Sequence, residues 1–320
     1  MKPLFIILII LAVLVLSVIV VGFIIGEYFY AFAVSRHYKK SRVSAITNEK
    51  NPDKPPVTYP YDVRVEWFDE MSSEKVSITS FDGLKLCALL VENPSSGNAK
   101  FAILCHGYTG HANESGFFGE KLYPLGFGIL APAARGHDIS EGDYIGMGWH
   151  ERIDIQDWIK YLNRRYNNPQ IILYGVSMGA ATVMMTAGED LPANVKCAIE
   201  DCGYSSIYEE YVHCLQNMLK LPAAPIMFFA RPMFLRKLKI NLLKDGYSTK
   251  QLAEAKIPML FAHGTEDRFV PFWMLDANYD AHPGPKEKVV IQGASHAAGP
   301  WLGGEEYWDK ILGFIKKYTE

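Results

Sequence analysis

The sequence predicts an α/β protein. A mostly parallel sheet carries helices on both faces and a helical cap, and one transmembrane helix precedes it. Three observations lead there. Residues 4–25, LFIILIILAVLVLSVIVVGFII, run for 22 residues without a charge. From residue 63 onward, short apolar runs alternate with segments of helical periodicity, the pattern of strands joined by crossover helices. Finally, residues 172–182, ILYGVSMGAAT, set a lone serine between two glycines where a strand reads into a helix.

The N-terminal run, as a helix, is roughly 33 Å long at 1.5 Å per residue. That is enough to cross a hydrocarbon core of about 30 Å. A secretory signal has an apolar stretch of only about 7–15 residues. Ala31-x-Ala33 resembles a cleavage site, but the length favours a retained anchor over residues 1–27. Tyr28, Phe29, Tyr30 and Phe32 fit an interfacial aromatic belt. Lys2 and the α-amino group precede the span, whereas Arg36, Lys39, Lys40 and Arg42 follow it. The positive-inside tendency therefore places residues 36–320 in the cytoplasm. Residues 28–62 read as a basic juxtamembrane segment and a polar linker, with four prolines between 43 and 62.

The remaining segment, 63–320, has room for one large domain. Residues 63–68 and 75–92 read as β-structure, with a turn at Phe81-Asp82-Gly83. Further strands are expected at 99–105, 127–131, 171–174, 195–200, 258–262 and 288–291. Helices are expected over 116–126, 152–166 and 305–318. In the second of these, Ile155, Trp158, Ile159, Leu162 and Tyr166 recur at helical spacing. Composition is that of a globular protein, 49% hydrophobic and 21% charged, with a net charge of −3. No basic field is present to attract nucleic acid, so none is expected as a partner. Five cysteines lie at irregular spacing without a C-x-x-C pair. Neither a disulfide framework nor a zinc cluster is expected, and no metal or organic cofactor is implied.

In a sheet of this kind, ligands sit outside the carboxyl ends of the strands. Those ends carry His106-Gly107-Tyr108, Arg135-Gly136-His137-Asp138, Gly175-Val176-Ser177-Met178-Gly179, Asp201, His263-Gly264-Thr265-Glu266-Asp267 and Ser295-His296. These are the materials of acyl transfer. A serine hydroxyl needs a base within hydrogen-bond reach. The histidine base needs a carboxylate to fix its tautomer, and the oxyanion needs pre-placed backbone N–H donors. The Met178 N–H, directly after the serine, is one candidate donor, and the Tyr108 N–H in the loop after His106-Gly107 is the other. Asp267 competes with Glu266 and Asp201 for the acid. His296 takes the last strand end among nine histidines. His137 and His150, in a loop nearby, are candidate substrate contacts. Arg135 reads better as an ion-pair residue than as a substrate contact.

On these motifs, with Arg135-Gly136-His137-Asp138-x-Ser140-x-Gly142 added, the chain resembles the α/β-hydrolase superfamily, in its esterase and serine-aminopeptidase-like branch. The resemblance covers about residues 75–318. It implies Ser177 as nucleophile, Asp267 as acid and His296 as base, in the order expected of that fold. The anchor lies outside it. So does the character of an insertion at about 204–250, where MLKLPAAPIMFFARPMFLRKLKINLL occupies residues 218–243. Charges interrupt that stretch too often for a second span. It reads as short helices capping the strand ends, with adaptable apolar side chains suited to an acyl group or a membrane surface. The function expected is a membrane-anchored serine hydrolase acting on a carboxylic ester with an apolar acyl part. A peptidase or amidase of the same mechanism is the alternative, and a non-catalytic binding protein that kept the fold is a further one.

Overall fold

The computed structural model describes residues 2–38 and 63–320. Lys39, Lys40, Arg42 and the expected linker over 43–62 lie outside the described residues. Helix α1 covers Lys2–Val34 and is long and apolar enough to cross a membrane. It continues past residue 27, the last residue of the expected anchor segment. Its last turns carry Phe29, Tyr30, Ala33 and Val34 into the core of the domain, where all four are buried. The aromatic run is thus divided. Tyr28 stays exposed, while Phe29 and Tyr30 pack edge-on to Tyr211 and Phe234.

A short helix, α2 (Trp67–Glu70), replaces the strand expected at 63–68. Its two aromatic residues explain the difference. Trp67 and Phe68 are consecutive and both buried in the same cluster, whereas a strand would send them to opposite faces. Trp67 lies against Gly119, where any side chain would collide with its ring.

The sheet has eight strands: β1 (Glu74–Thr79), β2 (Lys85–Val91), β3 (Lys100–Cys105), β4 (Gly128–Pro132), β5 (Gln170–Val176), β6 (Val195–Asp201), β7 (Met259–Gly264) and β8 (Lys286–Ile291). Their order is β1-β2-β4-β3-β5-β6-β7-β8. The β1–β2 and β2–β4 pairs are antiparallel and all others are parallel. The inner parallel strands β3, β5 and β7 are buried almost throughout, which is why they read as continuous apolar runs. The helices alternate with them: α3 (Gly116–Leu122), α4 (Glu151–Tyr166), α5 (Met178–Ala187), α6 (Ile207–His213), α7 (Ala223–Leu238), α8 (Ser248–Leu252), α9 (Trp273–Ala281), α10 (Gly299–Leu302) and α11 (Gly304–Thr319). One face of the sheet packs on α4, α5, α8 and α9, through side chains such as Trp158, Met184, Leu252 and Leu275. The other packs on α2, α3 and α11, through Trp67, Leu122 and Phe314. The expected cap is α6, a π-helical turn at Cys214–Met218, and α7.

Arg135 is fully buried and structural. Its Nε and Nη2 donate to the two oxygens of Asp154, at 2.8 and 2.6 Å, and Nη1 donates to Asp82 at 2.8 Å. The fork thereby joins α4 to the β1–β2 turn beneath the loop that follows β4. Removing one partner of a buried pair leaves the other charge uncompensated, at a cost of about 3–5 kcal/mol. Arg135→Ala is expected to lower stability by that amount in urea denaturation. A loss below about 1 kcal/mol would show that Asp154 is stabilised by other means.

Candidate active site

The site is built on β5. Gly175 and Gly179 flank Ser177, and neither position has room for a side chain. A Cβ on Gly175 would lie 2.2 Å from the Gly179 carbonyl oxygen, and one on Gly179 would lie 2.0 Å from that of Cys105. The chain can therefore double back at Ser177, which adopts φ 57° and ψ −117° and opens α5 as its N-cap. A non-glycine residue in such a conformation costs on the order of 1–3 kcal/mol and persists only when its surroundings enforce it. Here the Ser177 N–H donates to the Asp201 carbonyl at 2.8 Å, binding the corner to the end of β6.

His296 follows β8, and Asp267 follows β7. His296 Nδ1–H donates to Asp267 Oδ2 at 2.7 Å. That leaves Nε2 to accept the Ser177 hydroxyl at 2.9 Å. Asp267 is buried and well supplied with donors. The Phe269 and Val270 amides each donate to Oδ1 at 2.9 Å, and His263 Nε2 stands 3.3 Å from Oδ2. Burial alone would raise the Asp267 carboxyl, but the charges and hydrogen bonds of His296 and His263 outweigh it and hold it at about 2. Burial likewise opposes a charge on His263, and again the bond to Asp267 prevails and raises its pKa. The rival acids stand elsewhere. Glu266 is exposed. Asp201 accepts the Tyr307 hydroxyl at 2.7 Å, and burial pushes its carboxyl up to about 6.

Met178 is the first residue of α5, so its N–H has no acceptor within the helix. Gly107, directly before Tyr108, lies beside the serine: a Cβ built there would be 3.5 Å from Ser177 Cβ. The Tyr108 hydroxyl donates to the Ala33 carbonyl of α1. The two candidate substrate histidines are occupied otherwise. His137 Nδ1 bonds the Arg135 carbonyl at 3.0 Å, and Nε2 accepts the Thr109 N–H at 3.1 Å. It is a tie between the loops after β3 and β4. His150 is packed between Phe81 and Tyr144, and burial, aided by the Arg135 charge, lowers its pKa to about 4. Neither ring lines the pocket at Ser177.

That pocket has about 630 Å³ of free space, its open mouth and adjoining solvent included. Its surface is almost wholly apolar. Tyr211, Met218 and Leu219 of the cap form one wall, and Phe29, Phe32 and Ala33 of α1 form another. The sequence did not point to these α1 residues, because the run was read as anchor and interface belt. A signal was present in Gly22-x-x-x-Gly26, the spacing at which a helix offers a groove to a neighbour. Glu210 also went unnoticed. It lines the pocket, its Oε1 accepts the Cys214 thiol at 3.2 Å, and burial pushes its carboxyl up to about 8.

Among the described residues, one group has metal-ligand chemistry at close range: Cys202, Asp267 and His296, with ligand atoms within 4.8 Å of one another. Two of the three are joined to each other, His296 Nδ1 to Asp267 Oδ2 at 2.7 Å, and His296 Nε2 faces Ser177.

A family model for the α/β-hydrolase fold matches residues 103–223. An uncharacterised protein of Bacillus subtilis strain 168, YqkD, is 25% identical over 262 residues, covering 80% of this chain and 83% of that one. YfhR of Escherichia coli K12, also uncharacterised, is 25% identical over 256 residues, covering 77% of this chain and 82% of that one. Among solved structures, the Pyrococcus furiosus esterase Pf2001 superposes with a TM-score of 0.64 at 21% identity, over 84% of this chain and 100% of the esterase. An acylaminoacyl peptidase of Pyrococcus horikoshii superposes with a TM-score of 0.58 at 14% identity, over 77% of this chain and 41% of the peptidase. The chain has the α/β-hydrolase fold.

The depressed Asp267 carboxyl fixes the sign of one pH effect. Its folded pKa of about 2 lies below the ordinary value, so the charge stabilises the fold above about pH 4. That contribution is lost as pH falls toward 2. Comparing urea midpoints of the protein and of Asp267→Asn, the gap is expected to shrink by about 2 kcal/mol between pH 5 and pH 2. A gap independent of pH would show that Asp267 carries no stabilised charge.

Proposed function

We propose that the protein is a membrane-anchored serine hydrolase that cleaves a carboxylic ester with an apolar acyl part. The observation that carries this reading is the series Ser177–His296–Asp267, with contacts of 2.9 and 2.7 Å at the carboxyl end of a parallel sheet. Ser177 Oγ attacks the ester carbonyl as His296 Nε2 takes its proton, and Asp267 holds the imidazolium that forms. The N–H groups of Tyr108 and Met178 receive the oxyanion. Collapse of the tetrahedral intermediate breaks the bond to the alcohol oxygen, which leaves with the proton from His296. Water, activated by the same histidine, then releases the acid from the acyl-enzyme and restores Ser177. Each step uses side chains and backbone of this chain.

A peptidase acting through the same residues is the second reading, and the acylaminoacyl peptidase neighbour is of that kind. The apolar lining of the pocket favours an ester. Reaction with a fluorophosphonate probe is expected, and Ser177→Ala is expected to abolish it. Asp267→Asn should lower ester turnover by roughly 10³–10⁴ while leaving the protein folded. Folded protein that fails to react would sink the hydrolase reading. Faster turnover of aminoacyl amides than of p-nitrophenyl esters would replace esterase by peptidase.

The long apolar helix is read as the anchor, with residues 4–25 in the bilayer. The basic residues that follow it in sequence favour a cytoplasmic domain. A C-terminal alkaline phosphatase fusion, active only outside the cytoplasm, is expected to be silent, and strong activity would reverse the orientation.

A further inference from the structure

The cap helix α7 lies along the exit of α1 rather than over the domain alone. Gly22 and Gly26 of α1 face Phe229 at a distance that admits no side chain at either glycine. Phe23 meets the Phe229 ring edge-on at 5.4 Å, and Tyr30 meets Phe234 at 5.3 Å. Glu27 and Lys237 pair beside them. Numbers rise together along the two helices, so the start of α7 reaches back toward the charge-free run of α1. The segment 221–230 is itself uncharged. Leu221 and Phe228 within it are 45% and 65% exposed, apolar surface beside apolar surface.

α1 is also fixed to the catalytic domain on its other side. The Ile145 N–H donates to the Val34 carbonyl at 2.8 Å, and Arg36 donates to the Asp138 and Ser140 carbonyls at 2.8 Å each. The Tyr108 hydroxyl reaches the Ala33 carbonyl from the loop beside Ser177. The last turns of α1 are therefore a fixed wall of the site.

Depth follows from helix geometry. Phe29 and Ala33 lie about 6 and 12 Å along the axis beyond Ile25, where the charge-free run ends. The headgroup layer on one side of a bilayer is about 5–8 Å thick. The pocket wall thus begins in the outer part of the headgroup layer, roughly one helical turn outward of the lipid esters at the hydrocarbon boundary.

Resting on the hydrolase reading above, the geometry points to a more particular substrate: an acyl ester resident in the same bilayer. Its chain lies between α1 and the cap, against Phe29, Phe32 and Ala33, with its carbonyl at Ser177. In this arrangement the anchor is one side of the acyl-binding site. A chain moving from lipid to pocket stays in apolar surroundings, so little apolar surface is exposed to water on the way.

The test uses the full chain in lipid nanodiscs. A dodecyl fluorophosphonate with a diazirine at the end of its chain is attached to Ser177 and then illuminated. Cross-links are expected in the peptide that ends at Arg36, within residues 26–36. Ala33→Trp, which fills the pocket at α1, should lower kcat/KM for p-nitrophenyl dodecanoate relative to the butyrate at least tenfold. Phe32→Ala should move the preferred chain length upward. Lipid esters in the same nanodisc should be hydrolysed at least tenfold faster than those supplied in separate vesicles. Labelled Ser177 with cross-links only outside α1, and a chain-length preference unmoved by both variants, would overturn the assignment of α1 to the site. Equal rates from both lipid sources would overturn the bilayer as the source. No labelling at Ser177 would instead remove the hydrolase reading beneath both.

Discussion

The corner at Ser177 is the constraint around which the rest is arranged. A residue with a side chain holds φ 57° there, a conformation that local preference opposes. Three features enforce it. Bare backbone at Gly175 and Gly179 lets α5 fold back against β3 and β5. The bond from the Ser177 amide to the Asp201 carbonyl fixes the corner to β6. The Asp201 carboxyl is itself held by Tyr307 of α11, whose hydroxyl also meets that of Tyr174 on β5. A tie thus runs from the far helical layer through the sheet to the serine. The position of β5 between β3 and β6 matters for the same reason. Those neighbours supply the glycine loop on one side of the hydroxyl and the anchoring carbonyl on the other.

Electrostatics separates one carboxylate from several buried acids. Asp267, Glu200, Glu210 and Asp201 are all buried. Asp267 accepts two backbone amides and faces two histidines, and it is held at about 2. Glu200 receives the Gly203 amide and Glu210 a thiol, and burial takes both up to about 8. The two histidines, more than depth, decide that Asp267 carries charge: buried Glu151 also accepts two backbone amides, yet burial takes it up to about 7. The same comparison explains why Asp201, at the end of the strand beside β5, does not hold the histidine. Its carboxyl is turned to Tyr307, and its carbonyl is committed to the Ser177 amide.

Much of the fold was legible because parallel strands buried on both faces leave short apolar runs, and their ends carry glycine, histidine and aspartate. The serine, histidine and aspartate were legible as strand-end residues, since topology alone brings such ends together. Legibility failed where a residue's partner is remote in sequence. His137 looked like a substrate contact because of where it falls in the chain, but both ring nitrogens are taken up by backbone. VRVEWF at 63–68 reads as β-structure, yet Trp67 and Phe68 are both buried in one cluster, as a helical turn allows. The bare surfaces of Gly116 and Gly119 that receive Arg64 and Trp67 lie far along the chain. Glu210 resembled any other charge on a helix until burial was known.

The N-terminal helix shows the same limit in another form. Hydropathy reports that a segment is apolar, not what lies against it. Lipid and a protein neighbour are equally apolar, so the run could be read as an anchor and nothing more. What separates the two surroundings is shape. Gly22 and Gly26 make a groove, and an aromatic side chain 200 residues later fills it. Four residues of the last turns then enter the domain core. From about Gly26 onward the helix is consequently part of the domain, upstream of the proline-rich segment read as the linker. A pocket bounded by that helix is held at a fixed position relative to it, so under the proposed reading of residues 4–25 as the span the same contacts would set how the pocket stands to the apolar layer.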